Sequence, residues 1–231
     1  MLITHPVNES TLRFVGDRFS DMPSYIDRLL ADSQGDALYR DLIVGILLKA
    51  LEMHRHLIRA WEDKDHSYLA WANRNYWELK YWMDYISESR ENGERFRSDL
   101  KVDLKDIAEA SLKLAILDGA DDEFITAIKE QVCKLKAELV QEGLSEKQRY
   151  LPVGDDDAEF GGANKIASKY VHATALSVLF RGQDERSLDA LFSAAAGVIV
   201  HVLRATADLV KKYELPPLPP FIAALHGPAH T

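Results

Sequence analysis

Tyr68-Leu-Ala-Trp-Ala-Asn-Arg-Asn-Tyr-Trp-Glu-Leu-Lys-Tyr-Trp-Met-Asp-Tyr-Ile86 decides the reading of this chain. Three of the four Trp and four of the nine Tyr fall in these residues, which marks the stretch as a packing centre. No breaker interrupts it, and its apolar positions recur at helical spacing. One stripe is Tyr68, Ala72, Asn75, Leu79, Trp82 and Ile86, and it is expected to face a core. The neighbouring stripe, Ser67, Trp71, Arg74, Glu78, Tyr81 and Tyr85, sets an Arg and a Glu four apart between aromatic rings.

The same period governs what surrounds it. Upstream, after the Ser33-Gln-Gly35 break, residues 36–64 carry Tyr39, Ile43, Ile46, Ala50, Met53/His54, Leu57 and Trp61 on one face. A short link at 62–66 predicts that this helix and the aromatic one are antiparallel neighbours. Pro23 opens a shorter helix before them, as Pro does at a first helical turn. Downstream, Asn92-Gly93 signals a turn. A helix is then expected over 99–117 with Leu100, Leu104, Ile107, Ala108, Leu114 and Ala115. Another, capped by Asp121 or Asp122 and stopped by Gly143, carries Ile125, Ile128, Val132, Leu135 and Leu139. Residues 144–162 lose periodicity and read as a loop. Helices over 164–180 and 187–213 follow, and then Leu215-Pro-Pro-Leu-Pro-Pro-Phe221, which cannot continue a helix.

No strand-like alternation occurs. The expected architecture is all-α, a six- or seven-helix up-and-down bundle over 23–213. A 1–22 extension precedes it and a proline-rich 214–231 tail follows.

Composition narrows the function classes. The 231 residues include 28 Lys and Arg against 37 Asp and Glu, a net charge of -9 that disfavours broad nucleic-acid or membrane-surface binding. A single Cys, Cys133, excludes an intrachain disulfide and a cysteine-based zinc site. No basic and apolar leader follows Met1, and the apolar run 190–203 is too short to span a bilayer. An intracellular, cytoplasmic protein without a membrane anchor is expected.

Three constellations are candidates for chemistry. Arg74 and Glu78 form a structural ion pair, or an arginine held by the glutamate to receive an anion. Asn164-Lys-Ile-Ala-Ser-Lys-Tyr-Val-His172 puts Ser168 and His172 on one helical face, with Lys165 and Tyr170 close by in sequence. Histidine on a small-residue helix is either a satisfied core residue or an acid–base group. Glu52/His56, Glu62/Asp63/His66 and Asp155-Asp-Asp157 with Glu159 are the acidic and histidine clusters. None follows Glu-x-x-His or calcium-loop spacing, so no metal or cofactor is expected.

The Arg-x-x-x-Glu of the aromatic helix, with Ser168-Lys-Tyr-Val-His172 far downstream, resembles a family of prokaryotic all-α proteins grouped with HEPN-like domains (higher eukaryotes and prokaryotes nucleotide-binding). The resemblance spans about residues 36–213. It implies a helical bundle that is often a homodimer. Active HEPN members are metal-independent ribonucleases of toxin–antitoxin and anti-phage systems, with Arg-x(4–6)-His at a helix start. Here that spacing occurs at Arg59 and His66.

Two functions follow. The first is an RNA- or nucleotide-processing toxin. His172 would be its acid–base group, Arg74 would stabilise phosphate charge, and Glu78, Ser168, Tyr170 and Lys165 would orient or bind. The second is a non-catalytic interaction or scaffold protein (an accessory subunit, antitoxin or homodimer). It would bury an Arg/Glu/His network and reach a protein partner through its proline-rich tail.

Overall fold

A computed structural model describes residue 16, residues 19–143, residue 165 and residues 185–219. Six helices account for nearly all of it, and no strand occurs among the described residues: α1 Met22–Ala31, α2 Ala37–Glu62, α3 His66–Glu88, α4 Arg90–Leu117, α5 Asp122–Gln141 and α6 Glu185–Lys212. The all-helical expectation holds. The chain divides into two compact units, Met1–Glu88 with Pro152–Thr231, and Ser89–Leu151.

In the first unit, α3 packs most extensively on α6 and then on α2, while α1 lies on α2. The α2–α3 link is a tight cap. Asp65 N–H reaches Ala60 O and Lys64 N–H reaches Trp61 O, with Lys64 in the left-handed region at φ 55°. Asp65 then caps α3 by accepting from Tyr68 N at 2.9 Å. Three tyrosine hydroxyls stitch the antiparallel pair. Tyr39 donates to Ile86 O and Tyr76 to Ala50 O, each at 2.9 Å, and Tyr68 meets His56 Nδ1 at 2.5 Å. Each bond joins positions that antiparallel packing brings level, so together they fix the register.

The predicted stripe of α2 is buried at Tyr39, Ile43, Ile46, Ala50, Met53, His54 and Leu57, joined by Leu47, while Trp61 is half-buried. The aromatic helix is rotated from expectation. Its buried side is Leu69, Ala72, Asn73, Tyr76, Leu79, Met83 and Ile86, while Tyr68, Asn75 and Trp82 are half-buried. Tyr76 is the one large ring of the helix that is fully buried, its hydroxyl bonded to Ala50 O, while the other rings are half-buried. Smaller side chains allow the helices to approach closely.

Along α6, Leu191, Phe192, Ala195, Ile199, Val202, Leu203 and Leu209 are buried, and full burial of such a large side chain contributes about 1.5–3 kcal/mol. The helix is long and apolar enough to cross a membrane, yet half of that window is buried inside the fold, as in a core helix. The chain after it turns back. Leu215 N–H bonds to Val210 O, Tyr25 Oη donates to Pro216 O at 2.9 Å, and Leu215 and Leu218 are buried. The described start of the proline segment therefore packs on its own chain; residues 220–231 lie outside the described residues.

The second unit is a helical hairpin. Instead of a turn at Asn92-Gly93, the break before α4 is the single residue Ser89. It is extended at ψ 157°, and its Oγ accepts from Asn92 N at 3.1 Å. Gly93 is helical and buried. A serine cap satisfies an orphan donor of the first turn, which removes the need for a loop. At the other end Gly119, at φ 69°, lets Ala120 N–H reach Ala115 O, and Asp121 caps α5. The seam is thin: Ala108 of α4 packs with Val132 and Leu135 of α5, with Ile128 against them, and Val102, Ala115 and Leu139 are also buried. Charged pairs flank it, Lys136 with Glu109 at 2.8 Å and Lys101 with Glu142.

This places α4 differently from expectation. Leu100, Leu104, Ile107 and Leu114, expected among its apolar contacts, are exposed. The helix is apolar on two sides, and α5 covers only the alanine side.

Candidate functional site

Arg74 and Glu78 sit on the middle turns of α3. Arg74 Nε donates to Glu78 Oε1 at 3.1 Å, with the side chains 34% and 43% exposed. The pair meets as the sequence predicts, but in contact with water. In that setting it is screened and contributes a few tenths of a kcal/mol. Ser168, Tyr170 and His172 lie outside the described residues, and so does the predicted convergence of His172 on Arg74. Lys165 is helical and exposed. Of the Arg-x(6)-His match, Arg59 Nε lies 3.6 Å from Asp63 in the last turn of α2, and His66 begins α3.

Glu52 and His56 lie one turn apart on α2 at 3.7 Å. Lys49 binds the other Glu52 oxygen at 2.9 Å, and its hydrogen bond holds the carboxyl below its usual pKa range. The opposite imidazole nitrogen faces Tyr68, whose ring stacks on Trp71. Both His56 nitrogens thus have protein partners, as a positioned structural histidine requires. Among the described residues, no three His, Cys, Asp or Glu side chains gather as metal ligands. The Asp155–Glu159 cluster lies outside the described residues.

A different constellation emerges where the C-terminal halves of α3 and α6 meet. His201 Nε2 lies 2.7 Å from Asp84 Oδ1, and Lys80 holds Asp84 Oδ2 at 3.0 Å. The pair lines an open groove of about 610 Å³, with Ser87, Arg204, Asp208 and Lys212 along its walls. Lys212 Nζ stands 3.4 Å from Ser87 O and also covers the Tyr213 ring. A carboxylate bound to one imidazole nitrogen orients the ring. Nearby cations can attract an anion. The walls also carry Glu88 and Asp208, so the two signs are mixed.

One signal for this pair was present in the sequence, a histidine interrupting an apolar helix. Its partner stands 117 positions away, and no local pattern links them.

The other unusual histidine is His54. It is buried on α2, stacked on Phe19 at 4.4 Å, and its Nδ1 has no hydrogen-bond partner among the described residues. Burial, reinforced by the neighbouring Arg55 charge, lowers its pKa to about 4. It is neutral at pH 7 and faces a ring, which suits a packing role.

The largest unsatisfied feature is apolar. Of the ten large hydrophobic side chains that stand exposed among the described residues, eight belong to the α4–α5 hairpin: Leu100, Leu104, Ile107, Leu114, Ile116, Leu117, Phe124 and Val140. Leu100, Leu104, Ile107, Ser111 and Leu114 follow one another at intervals of four, three, four and three. This is the spacing of a coiled-coil seam. Comparison of the chain with protein-family models, curated proteins and solved structures found no match.

Proposed function

We propose that this chain is a non-catalytic helical interaction protein that docks to a partner helix through the outer face of α4. The single observation that carries this reading is the exposed heptad-spaced seam of Leu100, Leu104, Ile107 and Leu114. Single exposed apolar residues are ordinary on a soluble protein. A contiguous row along one helix, in a unit whose own core is thin, is characteristic of an interface. The first unit supplies the buried mass of the protein and the hairpin supplies the contact. An accessory subunit, an antitoxin and a homodimer all fit this description.

The test compares the wild-type chain with Leu104→Glu/Ile107→Glu in gentle extracts of the cells that make it, by size and by composition. The wild-type chain should migrate in an assembly larger than one chain, and the variant as a monomer. A wild-type monomer, or an assembly indifferent to the variant, would overturn the reading.

A second reading, the HEPN-like one of metal-independent RNA or nucleotide processing, is favoured by one observation, the His201–Asp84 pair in a groove with Arg204 and Lys212. In this reading His201 or His172 moves the proton, and Arg204, Lys212 or Arg74 receives the phosphate. Cleavage of RNA in chelator that disappears in folded His201→Ala or His172→Ala would establish it. Absence of cleavage by the wild-type chain across varied RNAs would remove it.

A further inference from the structure

The docking reading leaves the occupant of the α4 face open, and the identity of that occupant rests on the docking reading itself. We infer that the occupant is the same face of a second copy of this chain, run antiparallel, so that two hairpins close into a four-helix bundle.

Area is the first argument. Leu100, Leu104, Ile107, Leu114 and Leu117 are 43–80% exposed. Together they offer on the order of 500 Å² per subunit, and a symmetric pair of such faces reaches the roughly 1,000 Å² at which a specific interface begins. A two-fold pairing uses one patch twice, so no second surface need be found.

Period is the second argument. The four-three spacing keeps the seam on one side of α4 for four turns, as supercoiled helices require. A globular surface would demand no such regularity.

Charge selects both the partner and its direction. At the N-terminal end the seam is continued by Arg97, which is exposed and in heptad register. Beyond Leu114 the helix ends at Leu117, and the turn into α5 carries Asp118, Asp121, Asp122 and Glu123. A parallel pair would stack Arg97 on Arg97 and Asp118 on Asp118. An antiparallel pair that sets Leu104 against the partner's Leu114, and Ile107 against the partner's Ser111, sets Leu100 level with the partner's Asp118 and carries Arg97 to the acidic turn just beyond it. The seam is complementary to itself only when reversed. Antiparallel helix dipoles favour the same direction.

Native mass spectrometry and sedimentation of the purified full-length chain at micromolar concentration test this. A dimer is expected. Leu104→Glu/Ile107→Glu should be monomeric with unchanged helix content, since both positions are solvent-exposed in the single chain. Arg97→Glu should weaken dimerisation roughly fivefold at low salt, and adding Asp118→Lys to that chain should restore it.

A monomeric wild-type chain overturns self-pairing. If the chain nevertheless forms a seam-dependent assembly with a different protein, the docking reading stands and only the identity of the occupant falls. A dimer unaffected by the seam variant overturns both. A dimer that Arg97→Glu weakens but Asp118→Lys does not restore overturns the antiparallel register.

Discussion

At the scale of single residues, buried polar groups carry the clearest consequences. His54 has a folded pKa of about 4 because burial disfavours its charged form. Its ordinary value is near 6.5, so the folded state binds fewer protons between these two pH values. The stability it confers is fully present above about pH 6.5 and is lost as pH falls through 4. The loss amounts to roughly 3 kcal/mol for a single site. His54→Phe keeps a ring against Phe19 and removes the titration. The urea midpoint of the wild-type protein should drop between pH 7 and pH 4.5 by more than that of the variant, and equal drops would contradict this origin. Tyr76 is the complementary case. Its buried hydroxyl, pushed to a high pKa by desolvation, bonds to Ala50 O across the α2–α3 contact. Tyr76→Phe should cost about 1 kcal/mol, because the phenyl ring still fills the space and only the bond is lost. Chemical denaturation checks this, and a loss several times larger would mean that the hydroxyl organises more than one contact.

At the scale of elements, helix positions were legible in the sequence because a 3.6-residue period and capping residues are local properties. Asp36, Asp121 and Gly119 act where their chemistry predicts. Asn92-Gly93 misleads, since Ser89 caps one turn earlier and the helix then absorbs the glycine. Which side of a helix is buried was less legible. On α3 most of the aromatic rings stand off the contact, and Leu69, Ala72, Tyr76 and Met83 define it. On α4 every apolar residue had the correct period, and only tertiary packing assigns Ala108 and Ala115 to the core and Leu104 and Ile107 to solvent. Of the candidate site, Arg74–Glu78 is a local pair and was readable, whereas Asp84–His201 depends on how α6 meets α3. The α2–α3 cap yields a further expectation. Lys64 adopts φ 55°, a conformation that costs a side-chain-bearing residue about 1 kcal/mol and glycine little. Lys64→Gly should therefore leave stability unchanged or raise it by up to about 1 kcal/mol, despite glycine's greater unfolded-state freedom. Thermal melting decides this, and a clear fall in midpoint would show that the Lys64 side chain contributes to the fold.

At the scale of the whole molecule, the two units differ in how completely they satisfy their own apolar surface. The unit containing α1, α2, α3 and α6 encloses Tyr25, Tyr39, Tyr76 and Phe192 in full. The hairpin of α4 and α5 encloses mostly alanine, valine and leucine along one seam and leaves a second seam in water. A chain with net charge -9 repels its own copies at long range. Close association then depends on local complementarity such as Arg97 with the acidic turn. Whether the outer face of α4 is covered when the protein works can be read at one position, Ser111, which is exposed at the middle of the seam. Ser111→Cys places a thiol there, and the exposed Cys133 of α5 provides a reference in the same molecule. The measurement is the rate of alkylation of both thiols in intact cells and in the dilute purified chain. The introduced thiol should react freely when dilute and be protected in cells, with Cys133 serving to normalise delivery of the reagent. Equal reactivity of the introduced thiol under both conditions would mean that nothing covers the face.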